Sequence, residues 1–188
     1  MAQQPNNPAT QQLKMWTPLE HFRQLSTAEL DALTEAPVLI TILVGTADGH
    51  LDREERTWSE RLLRSRTYNN PKALNEFYRI VSNGFLEKVD TKLAELPADT
   101  ERRCQDVAHQ LGKINPILAK LDPQIAADLY KGFLALAEET AESSGGFLRI
   151  GAISAVEAQW VKLPMLDPIA APPKPAEEEA EEDEKFKN

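Results

Sequence analysis

Several residue types that would commit a chain to familiar chemistries are scarce in these 188 residues. A single cysteine, Cys104, excludes an internal disulfide and a thiolate zinc cage, and fits a reducing compartment. Basic charge is in deficit: 21 Lys and Arg face 30 Asp and Glu, for a net charge of −9. Phosphate backbones are repelled by such a chain, so nucleic acid is not an expected partner. Long apolar runs are missing too. The longest, Val38 to Val44, is interrupted by Thr41 and falls far short of the ~20 residues needed to cross a bilayer. It reads as a buried core helix, and direct membrane insertion is not expected. The first residues, MAQQPNNPATQQLK, lack the basic start and apolar stretch of a signal peptide, which predicts a cytoplasmic protein.

Catalytic signatures are equally sparse. His21, His50 and His109 share no metal-ligand spacing. Asp106 and His109 stand three apart, but a di-iron bundle needs two Glu-x-x-His units and further glutamates. There is no Gly-rich phosphate loop, no zinc-protease helix signature and no Gly-x-Ser-x-Gly elbow. The expectation is a protein that is not an enzyme.

What the chain does have is helical periodicity. With 41% hydrophobic and 27% charged residues, it suits one compact domain with polar ends. The divisions expected are a polar arm over 1–16, a helical domain over 17–168 and a Pro-rich acidic tail over 169–188. From Ala170 onward the tail carries seven acidic and three basic residues, leaving −5 of the −9 on residues 1–169. It is too polar to fold alone. Leu74, Phe77, Val81, Phe85, Val89, Leu93 and Leu96 recur every three or four residues, as do Ile125, Leu129, Phe133 and Leu136, so each set lies on one helical face. Ser26 with Glu29 and Asp52 with Glu55 form capping boxes, and Asp122-Pro123 supplies a cap followed by Pro at the first helical position. Pro37 predicts the start of a new helix, while Pro116 and Pro164 predict breaks. The fold expected is all-α, a compact bundle of six to eight helices near 26–34, 36–47, 52–67, 72–95, 99–115, 123–143 and 154–163.

The most informative stretch is Ala47-Asp48-Gly49-His50-Leu51-Asp52-Arg53-Glu54-Glu55. One reading is a capped turn: Gly49 ends a helix in the left-handed conformation, and Asp52 with Glu55 caps the next. Another is the second half of an EF-hand loop, with Asp48 at position five, Gly49 at six, Asp52 at nine and Glu55 at twelve. The first half does not match, because Val44 and Thr46 occupy positions one and three. A cation would need ligands from elsewhere.

A second copy suggests where they lie. Leu51 to Trp58 is echoed 102 residues later by Ile153 to Trp160, with the apolar, capping, acidic and Trp positions in step. The later copy keeps Glu157 and has Glu138, Glu139 and Glu142 upstream. Two such helix–turn–helix units can bury their apolar faces on each other. Trp58 and Trp160 are then expected in the core. Arg53, Arg56, Arg61, Arg64 and Arg66, with Arg102-Arg103 on another helix, are interleaved with acids and read as solvated faces.

The run from Val38 to Glu55, an apolar helix followed by Ala-Asp-Gly, an apolar residue, Asp and Glu, resembles the TerB-like tellurite-resistance family. A related domain begins some membrane-anchored DnaJ-type cochaperones. Ser144 to Glu157 is similar to the family's second half, although it lacks the Asp-Gly pair. The resemblance implies a duplicated helical bundle, an acidic cluster holding a divalent cation such as Ca²⁺ or Mg²⁺, and a role in tellurite or other stress through protein partners in complexes at the membrane. The ligands it implies are Asp48, Asp52 and Glu55, and the repeat adds Glu142 and Glu157 of the second unit as candidates to complete the site. A metal-independent helical scaffold or cochaperone-type module is the alternative.

Overall fold

The computed structural model describes residues 20–47, 53–66, 72–144 and 155–173. Every regular element among them is helical, as expected. A 3-10 turn, Glu20–Phe22, precedes α1 (Thr27–Gly45), α2 (Arg53–Ser65), α3 (Lys72–Ser82), α4 (Phe85–Glu95), α5 (Thr100–Gly112), α6 (Asn115–Leu118), α7 (Pro123–Ser144) and α8 (Ala155–Trp160). None of these helices is long and apolar enough to cross a membrane.

The bundle is organised around α1. From Ala36 to Gly45 every one of its residues is buried, and α2, α3, α4, α5, α7 and α8 all touch it. A helix that is apolar all round has no face to offer water, so its neighbours must enclose it. This strength of burial explains one departure from expectation. Pro37 does not open a new helix but lies inside α1, where a missing N–H and a ring clash cost about 3 kcal/mol. Val38, Leu39, Ile40, Ile42, Leu43 and Val44 are all within 2% of full burial, and together they contribute on the order of 10 kcal/mol. Packing therefore outweighs the break.

The opposite happens between 72 and 95. The apolar periodicity runs straight through and predicts one helix, but the chain divides into α3 and α4. Gly84 at φ 65° is the cause: it takes the left-handed conformation that side-chain-bearing residues avoid. Its two halves still share the stripe, since Leu74, Phe77, Val81, Phe85 and Val89 are all buried. Phe77 stacks on Phe22 at 5.8 Å and meets Phe133 of α7 at 6.4 Å between ring centroids. Pro116 likewise sits at the start of α6 and does not merely end a helix.

Expected caps are found at Ser26 and Asp122. Ser26 Oγ accepts from Glu29 N at 3.3 Å while Glu29 Oε2 accepts from Ser26 N at 2.9 Å. Asp122 Oδ1 accepts from Gln124 N at 2.9 Å. The final helix is shorter than expected. After Trp160 the chain turns through Leu163 at φ 46°, a conformation that costs a non-glycine about 1–2 kcal/mol. Complete burial of that leucine returns about 1.5–3 kcal/mol. Asn115 holds the segment that follows, donating from Nδ2 to Met165 O at 3.0 Å and accepting from Asp167 N at 3.1 Å.

Trp58 departs from its expected place in the core: it is 49% exposed on α2, whereas Trp160 is half-buried against the core. Residues 48–52 and 145–154, which carry the turns of the proposed repeat, lie outside the described residues.

A close approach joins α3 and α7. A Cβ on Gly132 would stand 2.4 Å from the Tyr78 hydroxyl oxygen, and Tyr78 is too buried to yield. Gly132→Ala should therefore destabilise the protein by about 1–3 kcal/mol in chemical denaturation, despite alanine's better helix propensity. Adding Tyr78→Phe should recover most of that loss, because the ring carbon that bore the hydroxyl lies 3.6 Å away. Full loss in the double variant would contradict this account. Glu29 generates a pH prediction. Its bonds from the Lys120 ammonium and from the Ser26 amide and hydroxyl lower its pKa from 4.5 to about 2. A depressed folded-state value means stability present above 4.5 and lost as pH falls toward 2. Glu29→Gln should flatten that limb of a stability-versus-pH profile by lowering stability at neutral pH, with the two proteins converging as pH falls toward 2.

Candidate functional site

Three features outside simple core packing are candidates: the junction between α1 and α2, a polar cluster where α2, α3 and α7 meet, and a furrow between α1 and α4.

At the junction, α1 ends at Gly45 and Thr46 caps it, with its amide bonded to Ile42 O at 3.0 Å and its hydroxyl donating to the same oxygen at 2.7 Å. This terminator stands three residues before the Gly49 expected to end the helix. Arg103 completes the cap from across the fold. It is only 6% exposed. Nε donates to Thr46 Oγ1 at 3.0 Å and Nη2 to Thr46 O at 3.3 Å. The remaining donors reach Ala98 O at 3.1 Å, Pro97 O at 3.3 Å and Thr100 Oγ1 at 3.2 Å. The rigid fork of a guanidinium can serve five oxygens at once, and a cation suits the negative end of a helix. Arg103 is thus not part of a solvated basic patch. A signal was present in the sequence, since Arg103, Val107 and Leu111 share the four-residue spacing of the buried stripe on α5.

The expected metal ligands are only partly visible. Asp48 and Asp52 lie outside the described residues. Glu55 and Glu157 are described as helical backbone, in the first turns of α2 and α8, without their side chains. Glu142 is exposed in the last turn of α7. Among the described residues no group of three or more His, Cys, Asp or Glu side chains could hold a metal ion.

In the polar cluster, Arg66 Nη1 donates to Gly132 O at 2.5 Å and Nη2 to Glu139 Oε2 at 2.6 Å, with the guanidinium carbon 5.7 Å from the centre of the Tyr78 ring. Burial raises the Tyr78 pKa, and the Arg66 charge opposes the shift. This arrangement fastens the end of α2 to α7. Cys104 is buried in α5, and burial raises its thiol pKa, Arg103 opposing. It packs as a core thiol.

The furrow was not anticipated. Asp31, Thr34, Glu35 and Val38 of α1 face Glu87, Lys88, Thr91, Lys92 and Glu95 of α4, with Ile80 of α3 at one side. Four carboxylates and two ammonium groups give it a local charge of −2. Lys92, 17% exposed, is bonded to Glu35 at 2.8 Å and lies 3.9 Å from Glu95. Lys88 donates to Ile80 O at 3.3 Å, one of the carbonyls left open in the last turn of α3. Burial lowers its pKa. Acidic residues at Asp31 and Glu35, and at Glu87 and Glu95 two turns apart, were the sequence signal, but the pairing of the two helices was not legible from it.

Arg103→Met should cost about 2–4 kcal/mol in denaturant unfolding, because buried oxygens lose charge-assisted partners. Arg103→Lys should restore less than half, since one ammonium cannot span the same five acceptors. Full rescue by lysine would show that charge alone, not the fork, secures the junction. No family model, curated protein or solved structure matches this chain.

Proposed function

We propose that this is a non-catalytic TerB-like module of a stress response, of the tellurite-resistance type, acting through protein partners in a membrane-associated complex. In this reading the connection between α1 and α2 holds a divalent cation, Ca²⁺ or Mg²⁺. Asp48, Asp52 and Glu55 are its ligands, with Glu142 or Glu157 completing the shell. The observation that carries the reading is the junction itself. One helix ends at Gly45, the next begins at Arg53, and the acidic motif falls between them with Glu55 in the first turn of α2. That is the helix–loop–helix setting in which the second half of an EF-hand loop gathers oxygen ligands around a hard cation. Closing the loop on a cation would fix the approach of α2 to α1 and so orient the exposed face that carries Trp58.

Arg103 favours a second reading, the metal-independent scaffold or cochaperone-type module. The end of α1 already has a cation against Thr46, only two residues from Asp48. A fixed positive charge so close weakens binding of a divalent ion, and a capped turn needs none.

Calorimetric titration of the whole protein with Ca²⁺ and with Mg²⁺ decides between them. Under the first reading the native chain gives a saturable heat that either Asp48→Ala or Asp52→Ala weakens by about tenfold or more. Flat traces for all three proteins support the scaffold. In that case Asp52→Ala should cost about 0.5–2 kcal/mol as a lost helix cap, with a melting temperature indifferent to either ion.

A further inference from the structure

We propose that the furrow between α1 and α4 receives a short cationic amphipathic helix of a partner protein. The inference rests on the reading that this chain acts through protein partners, and it supplies their chemistry. Its argument is one of unspent charge. Both lysines are already occupied, Lys92 by Glu35 and Lys88 by the Ile80 carbonyl. On the rims, the Asp31 and Glu87 carboxylates have no cationic partner among the described residues. Glu95 is left with only a long contact to Lys92. An acidic occupant, the chain's own tail of seven acids and three bases included, would meet like charge. A basic one would be drawn in, helped by the net −9 of the whole molecule.

The shape selects a helix. The wall from Asp31 to Val38 and the wall from Glu87 to Glu95 are each about 10–12 Å long at the helical rise per residue, or about two turns. Acidic groups recur on both walls at helical spacing, so Lys or Arg side chains at positions i and i+4 of an incoming helix can reach both rims. Ile80, half-buried and packed on the core with Val38 beneath, offers an aliphatic side chain its seat. This is helix-in-groove recognition, with electrostatics setting specificity and on-rate.

The test uses the full chain and a labelled peptide of about 14 residues, with Lys on one helical face and Leu on the other, read by fluorescence anisotropy in chelator. A scrambled peptide of the same composition, which cannot form an amphipathic helix, is the control. The patterned peptide should bind more tightly than the scrambled one, with amide shift changes concentrated on residues 31–38 and 87–95. Asp31→Lys with Glu87→Lys should weaken binding by about tenfold or more, and the milder Asp31→Asn with Glu87→Gln by about threefold. Asp106→Lys with Glu138→Lys changes net charge equally away from the furrow and should alter binding by less than about twofold. Thermal melts establish that each variant is folded, and the neutral pair carries the test if the lysine pair is not. Equal binding of the two peptides, equal loss in the distant variant, shifts elsewhere on the surface, or no binding to the native chain would each overturn the proposal. Because chelator is present throughout, a flat cation titration beside patterned-peptide binding removes the cation alone. A positive titration beside absent peptide binding removes the furrow alone.

Discussion

Enclosure of one apolar helix is the constraint on which the rest of the bundle depends. From Ala36 to Gly45, α1 buries every residue it has, so six other helices are arranged to keep water off it. The hydrophobic term available along that stretch is large enough to carry a proline through the middle of the helix and to hold Thr41 wholly inside. That hydroxyl has no hydrogen-bond partner among the described residues, a cost of about 1–3 kcal/mol that the surrounding packing absorbs.

A helix so enclosed creates a difficulty at its end, where carbonyl groups lose their intrahelical partners just as the chain must emerge. Arg103 answers it by bringing a buried guanidinium from α5 to Thr46. The same side chain ties the start of α5 and the segment Pro97–Ala98 to that point. One residue therefore couples the core helix, the α4–α5 turn and the approach to the acidic motif, so any role for that motif is exercised against a fixed positive charge.

The remaining polar features divide by what their charges are already doing. Arg66 is engaged with Gly132, Glu139 and the Tyr78 ring, and works as a fastener between α2 and α7. In the furrow, by contrast, the lysines are engaged, while the Asp31 and Glu87 carboxylates have no cationic partner among the described residues. Surface ion pairs of this sort contribute little to stability. Their consequence is an uneven local field, and fields of that kind govern which partners approach.

Local chemistry wrote itself directly into the sequence: the all-helical class, the caps at Ser26 and Asp122 and the buried stripes on α3, α4 and α7 follow from spacing and residue type within a few positions. Legibility failed wherever the outcome hung on the balance between a local penalty and distant contacts. Pro37 promised a break that packing overrode, whereas Gly84 broke a stripe that periodicity carried through. Of the motif at Asp48–Glu55, the acidic spacing was legible in the sequence and the structure added the helix ends on either side. The burial of Arg103, the exposure of Trp58 and the facing of α1 by α4 were settled by tertiary structure alone. Each depends on which surfaces, far apart along the chain, come to cover one another.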